Sequence, residues 1–261
     1  MKAIQKIGLF DSGLGGLTVL QALESVLPTI PKIYYGDTLH LPYGDKSDAA
    51  IQSYSIEIVT YLKAQGCDMI VIACNSASAA AGKVLEERFP ELQFVNVIDP
   101  VVDFLAKGSH HHVGLLGTRA TVRSGAYASK LSAKNENIQL KSLATPLLVP
   151  LIEDGFLGTG IEVQVLQHYL NDPVLEGVEA LVPGCTHYPL LKDAASTILE
   201  GVNWIDAPTI VASEVAKYCN VSEAAQSSET KFCLSDKTPS FLELAAKTFG
   251  IKAQWELSRL D

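Results

Sequence analysis

The sequence predicts an α/β protein whose strands form mainly parallel sheets. Strand-like and helix-like segments alternate along most of the 261 residues, and this alternation is typical of right-handed βαβ units. The apolar run at residues 69–73 is continuous, as in strands that are covered on both faces. The alternation restarts near residue 113, which favours an internal duplication. A chain of this length suits one large unit or two small domains.

The first round of elements alternates strictly between strand and helix. The predicted strands lie at residues 6–10, 32–35, 69–73 and 94–98, and the predicted helices at residues 18–26, 49–64 and 77–88. In the longest helix, Ile51, Tyr54 and Ile58 recur every three or four positions, which is the spacing of one buried helix face. The strand at residues 6–10 leads into a glycine-rich turn, and the strand at residues 32–35 leads into a polar loop.

The second round repeats this order, and a tail follows it. Its predicted strands lie at residues 113–116, 139–143 and 180–182, and its helices begin near Ser124 and span residues 161–170 and 190–199. The tail contains a helix from about residue 210, a polar stretch at 222–230, a strand at 231–234 and a helix at 240–249. We expect residues 1–98 and 210–261 to form one domain, which carries Cys74, and residues 99–209 to form another, which carries Cys185.

Composition and charge exclude several classes of protein. Hydrophobic residues make up 48% of the chain, which does not favour disorder. The formal net charge of -9 argues against general nucleic-acid binding, which needs a basic surface. The N-terminus lacks the pattern of a signal peptide, and no apolar run approaches the roughly 20 residues of a membrane span. We therefore expect a cytoplasmic protein.

The five cysteines do not predict a disulfide framework. Their number is odd and no Cys-x-x-Cys occurs. Cys67, Cys219 and Cys233 are interpreted as small packing residues. Cys74 and Cys185 differ because each ends a buried-type strand and precedes a predicted helix. A helix N-terminus favours thiolate, so two such sulfurs on opposite sides of one carbon could remove a proton from one face and return one to the other.

Polar residues at other strand ends extend this candidate site. Asp11 and Ser12 begin the glycine-rich turn at residues 11–16, at the edge where parallel sheets bind ligands. The turn lacks the lysine of a phosphate-binding loop and the third glycine of a dinucleotide fingerprint. Tyr43 and Gly44 follow the second strand, where they could offer a hydroxyl and a backbone N–H. The turns need no function by themselves, and the run of histidines at 110–112 is interpreted as a surface loop rather than a metal site.

Six motifs, which cover nearly the whole chain, carry a family resemblance. They are Phe10-Asp11-Ser12-Gly13-Leu14-Gly15-Gly16-Leu17-Thr18, Gly36-Asp37-Thr38 with Pro42-Tyr43-Gly44, Ile72-Ala73-Cys74-Asn75-Ser76-Ala77, Ala120-Thr121-Val122-Arg123-Ser124-Gly125, Pro146-Leu147-Leu148-Val149-Pro150-Leu151 and Gly184-Cys185-Thr186-His187-Tyr188-Pro189. In this order they resemble the glutamate racemases of the aspartate/glutamate racemase superfamily. Any one motif alone would be weak, but the set is specific.

The resemblance implies a fold, an activity and a set of site residues. The fold would have two pseudo-symmetric α/β domains with the active site in the cleft between them, usually in a homodimer. The activity would be the cofactor-independent interconversion of L-glutamate and D-glutamate without a metal, which supplies D-glutamate for peptidoglycan, cell-wall biogenesis and cell shape. The implied catalytic residues are Cys74, Cys185, Asp11, His187 and Glu153, and the implied substrate-binding residues are Asp11, Ser12, Tyr43, Gly44, Asn75, Ser76, Thr121, Thr186 and His187.

The chain departs from the family pattern at four places. Ser76 replaces a more usual threonine, which keeps the hydroxyl and removes a methyl group. Thr145 stands where many relatives have a cysteine, and Asp99 replaces a commoner glutamate. Leu39-His40 replaces a commoner Ala-Arg type pair. Only the first departure has an evident consequence from sequence, namely a slightly looser pocket.

Three other functions remain as alternatives at this point. One is a racemase of the same superfamily that acts on aspartate or another amino acid. Another is a thiol oxidoreductase, which the absence of Cys-x-x-Cys disfavours. The third is a two-lobed ligand-binding module, which the paired cysteines disfavour.

Overall fold

A computed structural model describes residues 4–220 and 228–260. Within these residues the strands are β1 (Ile7–Asp11), β2 (Lys32–Gly36), β3 (Met69–Ile72), β4 (Gln93–Asn96), β5 (His112–Gly117), β6 (Gln139–Ala144), β7 (Ala180–Gly184), β8 (Asn203–Trp204), β9 (Thr230–Leu234) and β10 (Trp255–Leu257). The α-helices are α1 (Gly16–Val26), α2 (Asp48–Ala64), α3 (Asn75–Arg88), α4 (Asp99–Lys107), α5 (Arg119–Ser124), α6 (Ala126–Lys134), α7 (Leu148–Glu153), α8 (Ile161–Leu170), α9 (Lys192–Ser196), α10 (Ala207–Ala216) and α11 (Pro239–Phe249). Short 3-10 turns lie at Tyr43–Asp45, Pro173–Leu175 and Tyr188–Leu191.

The strands form two sheets in which the pairings are parallel, so the predicted α/β class is confirmed. The larger sheet has the order β10-β9-β2-β1-β3-β4, and the smaller has the order β6-β5-β7-β8. The first four strands of the chain and the next four therefore follow one order, with the second strand beside the first and the first beside the third. This equivalence supports an internal duplication and makes β3 the counterpart of β7.

Burial explains why the central strands are apolar throughout. All five residues of β1 are buried between β2 and β3, and the four residues of β3 are buried as well. Because helices cover both faces of each sheet, a strand there gains from apolar residues at every position rather than at every second one. The carboxyl ends of β1, β3, β5 and β7 consequently have rigid positions.

The structure differs from the sequence prediction in several helices. The helix expected near Ser124 starts earlier, as α5, and Gly125 with φ +63° separates it from α6. The helix expected at residues 190–199 begins instead as the 3-10 turn Tyr188–Leu191, and α9 after it is short. Sequence analysis missed α4 because its periodicity starts at the proposed domain boundary, where Pro100 occupies the first turn.

The tail joins the larger sheet through β9 and β10. The predicted polar stretch at residues 222–230 lies mostly outside the described residues, since the description resumes at residue 228. The proposed domain division at residues 98/99 and 209/210 stays a prediction. Among the described residues no helix combines the length and apolar character that a membrane span requires.

A pair of glycine substitutions tests the packing that places the end of β7. A Cβ at Gly184 would lie 2.4 Å from Leu115 Cδ1 and 2.9 Å from the backbone oxygen of Leu116. We expect Gly184→Ala to lower the free energy of unfolding by about 1–3 kcal/mol, as overpacking does. A Cβ at Gly82, inside α3, would meet nothing within 4 Å, so Gly82→Ala should raise that free energy by about 0.5–1 kcal/mol. Denaturant unfolding of both variants measures the two changes in the free energy of unfolding. Changes of the same sign would contradict the packing described for Gly184 and Gly82.

Candidate active site

Two cysteines occupy equivalent positions at the carboxyl ends of the two sheets. Cys74 follows β3, and Cys185 follows β7. Each residue is 5% exposed. Cys74 Sγ lies 3.9 Å from Ser12 Oγ, and the neighbour of Cys185, Thr186, donates a hydrogen bond of 3.1 Å to Asp11, so both cysteines adjoin the turn after β1. The structure therefore brings together the two residues that the sequence placed at opposite halves of one site.

His187 and Glu153 form a hydrogen-bonded chain that ends at Cys185. The imidazole Nδ1 lies 3.7 Å from Cys185 Sγ, and Nε2 lies 2.6 Å from Glu153 Oε1. A carboxylate only accepts hydrogen bonds, so Nε2 carries the proton. Glu153, at the end of α7, also accepts a hydrogen bond of 3.3 Å from the backbone N–H of Leu14. The Glu153 carboxylate thus contacts both His187, which follows β7 of the smaller sheet, and the glycine-rich turn after β1 of the larger sheet.

This chain favours the charged form of His187. Burial alone disfavours an imidazolium ion and lowers its pKa, but the hydrogen bonds with Cys185 and Glu153 act in the opposite direction and outweigh it. The net result is a His187 pKa well above the usual histidine range. An imidazolium between a carboxylate and a sulfur stabilises that sulfur as thiolate.

The surroundings of Cys74 favour the neutral thiol. Burial and then the negative charge of Asp11 raise its pKa well above the usual range, and they outweigh the N–H of Ala77 and the Ser12 hydroxyl, which lower it. The thiol donates a weak hydrogen bond of 3.9 Å to Ser12 Oγ. The sequence led us to expect a helix N-terminus to favour thiolate at both cysteines. That expectation does not hold for Cys74, which caps α3 but has its pKa raised by burial. Cys185 is followed by a 3-10 turn rather than by the predicted α-helix.

Asp11 connects the two halves of the site. One of its oxygens accepts hydrogen bonds of 3.0 Å from the backbone N–H groups of Gly13 and Gly16. Its other oxygen accepts one of 3.1 Å from the Thr186 hydroxyl, beside Cys185. A Cβ at Gly16 would lie 2.5 Å from Asp11 Cβ, so the turn closes around the carboxylate only because this residue is glycine. Asp11 acts on Cys74 as a fixed negative charge.

Hydroxyl groups line the cleft opposite Asp11. Ser76 Oγ lies 3.0 Å from Thr118 Oγ1 and 3.4 Å from Thr121 Oγ1, so the first turn of α3 meets the first turn of α5. Gly44 approaches the same cluster, because a Cβ there would lie 2.8 Å from Thr118 Cβ. The predicted binding residues Gly44, Ser76 and Thr121 therefore lie together.

Two more predicted residues, Asn75 and Tyr43, form hydrogen bonds that a tyrosine hydroxyl donates. Tyr127 donates a hydrogen bond of 2.8 Å to Asn75 Oδ1, and Tyr43 donates one of 2.5 Å to Asp37 Oδ2. Sequence reasoning did not select Thr118 or Tyr127. Thr118 could have been found, because it follows β5 exactly where Ser12 follows the end of β1. Tyr127 lies within α6, and only the fold brings it to Asn75.

Ion pairs connect the two halves at the rim of the cleft. Arg119 lies 3.1 Å from Asp45, and Arg123 lies 3.6 Å from Asp48. All four side chains are more than half exposed, and exposed pairs of this kind contribute only about 0–1 kcal/mol each. They can therefore separate at little cost, which would open the cleft to a ligand.

The described residues form no metal site. In residues 4–220 and 228–260, no group of three or more His, Cys, Asp or Glu side chains is placed to hold a metal ion. The histidines at 110–112 lead into β5, where the backbone N–H of His112 donates to Glu179 and its ring lies 3.0 Å from Gln139. They therefore lie at the amino end of β5, an inner strand of the smaller sheet.

The chain is similar in sequence and in fold to known proteins. Residues 17–215 match the sequence profile of the Asp/Glu/hydantoin racemase family. The glutamate racemase of Aquifex aeolicus (strain VF5) is 44% identical over 215 residues, which are 82% of this chain and 83% of that protein. The structure of glutamate racemase from Thermus thermophilus in complex with beta-chloro-D-alanine has a TM-score of 0.87 at 36% identity, covering 100% of this chain and 98% of the other. That of glutamate racemase from Francisella tularensis in complex with D-glutamate has a TM-score of 0.88 at 33% identity, covering 98% of each chain.

The charge on Glu153 can be removed without changing the size of the side chain. Because a neighbouring carboxylate favours imidazolium, we expect Glu153→Gln to lower the pKa of His187 toward that of an ordinary histidine. A pH titration of the imidazole nitrogens by NMR measures this pKa. Glu162→Gln is the matched control, since Glu162 is also buried but accepts a hydrogen bond from the Gly158 N–H. A His187 pKa that is the same in both variants and in the wild type would contradict the proposed cause.

Proposed function

The chain belongs to the Asp/Glu/hydantoin racemase family, and on this premise we propose that it interconverts L-glutamate and D-glutamate by proton transfer through Cys74 and Cys185. The observation that supports this most strongly is the placement of two sulfurs at equivalent strand ends with different partners, His187 beside Cys185 and Ser12 beside Cys74. One sulfur has an imidazolium partner, and the other is held as a neutral thiol. Such a pair contains one base and one acid at the same time, as inversion of a carbon centre requires.

The ionisation of the pair suggests how a turnover begins. Cys185, as thiolate beside the His187 imidazolium, removes the α-proton from one face of the substrate. Cys74, as thiol, delivers a proton to the opposite face. The two sulfurs then hold their proton in the reverse arrangement, so they titrate as a coupled pair rather than as independent groups. The positive charge of His187, which Glu153 stabilises, balances the negative charge of Cys185 whenever that sulfur is a thiolate.

The chain's polar groups have to stabilise the intermediate, because the α-proton of an amino acid is only weakly acidic. Negative charge develops on the α-carboxylate, and preorganised donors aimed at it lower the barrier most effectively. The hydroxyls of Ser12, Ser76 and Thr121, the Asn75 amide and the N–H of Gly44 lie around the cleft and are the donors we propose. Thr186 and His187 complete the binding set beside Cys185, and Tyr43 orients the turn that carries Gly44.

Glutamate rather than aspartate is the substrate that the relatives support. The proteins from Aquifex aeolicus, Thermus thermophilus and Francisella tularensis described above are glutamate racemases, and they align with most of this chain. Polarimetry with the enantiomers of glutamate and of aspartate, without an added cofactor, tests the choice.

The cellular role follows from family membership. We infer that the enzyme needs no cofactor or metal, acts in the cytoplasm as a homodimer, and supplies D-glutamate for peptidoglycan and hence for cell-wall biogenesis and cell shape. Depletion of the protein in its host should deplete D-glutamate, and added D-glutamate should restore growth. Light scattering of the purified protein measures the number of copies in the assembly.

The five cysteines allow a matched test of the mechanism. We expect Cys74→Ala and Cys185→Ala each to lower the turnover of both enantiomers by at least about a hundredfold, since each variant lacks one proton carrier. Cys219→Ala removes a half-buried thiol that is not part of the candidate site, and it should keep wild-type turnover. Circular dichroism measures both the approach to racemic glutamate and the retention of fold. Near-normal turnover in either of the first two variants would overturn the two-thiol scheme.

A further inference from the structure

Asp37 is a buried carboxylate at the candidate site that the two-thiol mechanism does not use. It follows β2 and is 2% exposed. Its backbone N–H donates a hydrogen bond of 2.9 Å to the backbone oxygen of Asp11, so it lies beside the catalytic strand end. A buried carboxylate is costly unless donors or an opposite charge compensate it. The hydrogen-bond donors around Asp37 therefore show which segments its charge holds together.

Two side chains, from Tyr43 and His40, donate to the Asp37 carboxylate. The Tyr43 hydroxyl lies 2.5 Å from Oδ2, and His40 Nδ1 lies 3.0 and 2.9 Å from the two oxygens. Because both of these oxygens only accept, Nδ1 carries a hydrogen. Burial, and next the charge of Asp37, raise the pKa of the Tyr43 hydroxyl well above its usual range, which keeps it a donor.

The same three residues link α2 to the turn that enters the cleft. The His40 ring stacks on Tyr54 of α2 at a centroid distance of 3.9 Å and an interplanar angle of 9°. Tyr43 is fully buried and begins the 3-10 turn Tyr43–Asp45. It also lies near enough to Cys74 for a charge on that sulfur to raise the Tyr43 pKa. The link thus runs from α2 through His40, Asp37 and Tyr43 to Gly44.

Further anchors hold both parts of this loop. Thr38 Oγ1 donates to the Asp236 backbone oxygen and accepts from the Asp236 N–H at 3.0 Å. The Leu39 N–H donates a hydrogen bond of 2.9 Å to Ser235 Oγ. These contacts fix the loop near β9, before it reaches the cleft. On the side of the cleft, Tyr43 is held by its hydrogen bond to Asp37 and by its ring, which lies 5.9 Å from that of Tyr54. Asp45 adds the exposed ion pair with Arg119.

We propose that His40 is a positioning residue for substrate binding, which acts through Asp37 and Tyr43 on the backbone of Gly44. By holding the carboxylate from one side, His40 fixes the direction in which Asp37 accepts from Tyr43. The Tyr43 ring then sets the position of the Gly44 backbone, which lies close to Thr118. His40 itself touches no reacting atom, so its loss affects binding of the substrate more than the proton transfer. This inference rests on the function proposed above.

An arginine at position 40 could hold the same carboxylate as His40. An arginine offers a planar fork of donors that fits a carboxylate with two hydrogen bonds. His40 contacts both oxygens of Asp37 through one nitrogen and adds a stack on Tyr54. The two side chains are thus alternative ways to hold the same buried carboxylate.

Kinetics of His40 variants test this inference. A hydrogen bond to a buried charged group is removed in His40→Ala, so we expect the KM for glutamate to rise about tenfold while kcat changes by less than about threefold. His40→Arg should restore KM, since it again supplies two donors to Asp37. Tyr43→Phe should raise KM by a similar factor, and the double variant His40→Ala/Tyr43→Phe should raise it no further, because both changes break one chain.

A control and a second readout separate this inference from the function it rests on. His168→Ala, which removes another histidine beside a tyrosine, on α8, should leave KM unchanged. The NMR amide signal of Gly44 should shift in His40→Ala and return in His40→Arg, whether or not glutamate is the substrate. If the alanine variant does not fold, His40→Gln takes its place. A wild-type KM and an unshifted Gly44 signal in His40→Ala, or a His40→Arg variant as impaired as the alanine one, would overturn the proposal, whereas a wild-type protein without glutamate turnover would overturn the function alone.

Discussion

The imidazole of His187 lies between a carboxylate and a sulfur, and the chemistry of the cleft depends on this contact. Burial disfavours the charged imidazole, and the hydrogen bonds with Cys185 and then Glu153 outweigh it and raise the pKa of His187. With Glu153 in place, at 2.6 Å from Nε2, the charge on His187 is retained in a fully buried position. The negative charge of Asp11 has the opposite effect at Cys74, where it adds to burial and keeps the thiol protonated. Two cysteines in matching positions of a duplicated fold thereby acquire different electrostatic surroundings.

Duplication explains the shared position of the two sulfurs but not their difference. The order of strands is the same in β2-β1-β3-β4 and β6-β5-β7-β8, so β3 and β7 end at equivalent points. Beyond those ends the halves diverge. Cys74 caps a helix of 14 residues, whereas Cys185 precedes a 3-10 turn and depends on His187 instead.

Much of this arrangement was predictable from the sequence, and the remainder required tertiary structure. Continuous apolar runs such as Met69–Ile72 predicted buried parallel strands, and the residues after them predicted which side chains share the sheet edge. Local patterns did not predict α4, because Pro100 in its first turn looked like a boundary, or the early start of α5. They also could not supply contacts between distant segments. Glu153 and His187 are 34 positions apart, and no periodicity connects them. The pKa of Cys74 was expected from its helix terminus, but burial and Asp11 determine its direction.

Hydrogen exchange at the α-carbon tests the central claim, that two sulfurs on opposite faces share one proton transfer. L-glutamate is converted in D₂O, and mass spectrometry follows deuterium in both enantiomers before equilibrium is reached. If the account is correct, the D-glutamate formed in the first turnovers carries deuterium at Cα while the remaining L-glutamate keeps its hydrogen, and the reverse conversion behaves in the same way. Product that retains the original hydrogen would show that a single group carries the proton from face to face, and the account would then be wrong.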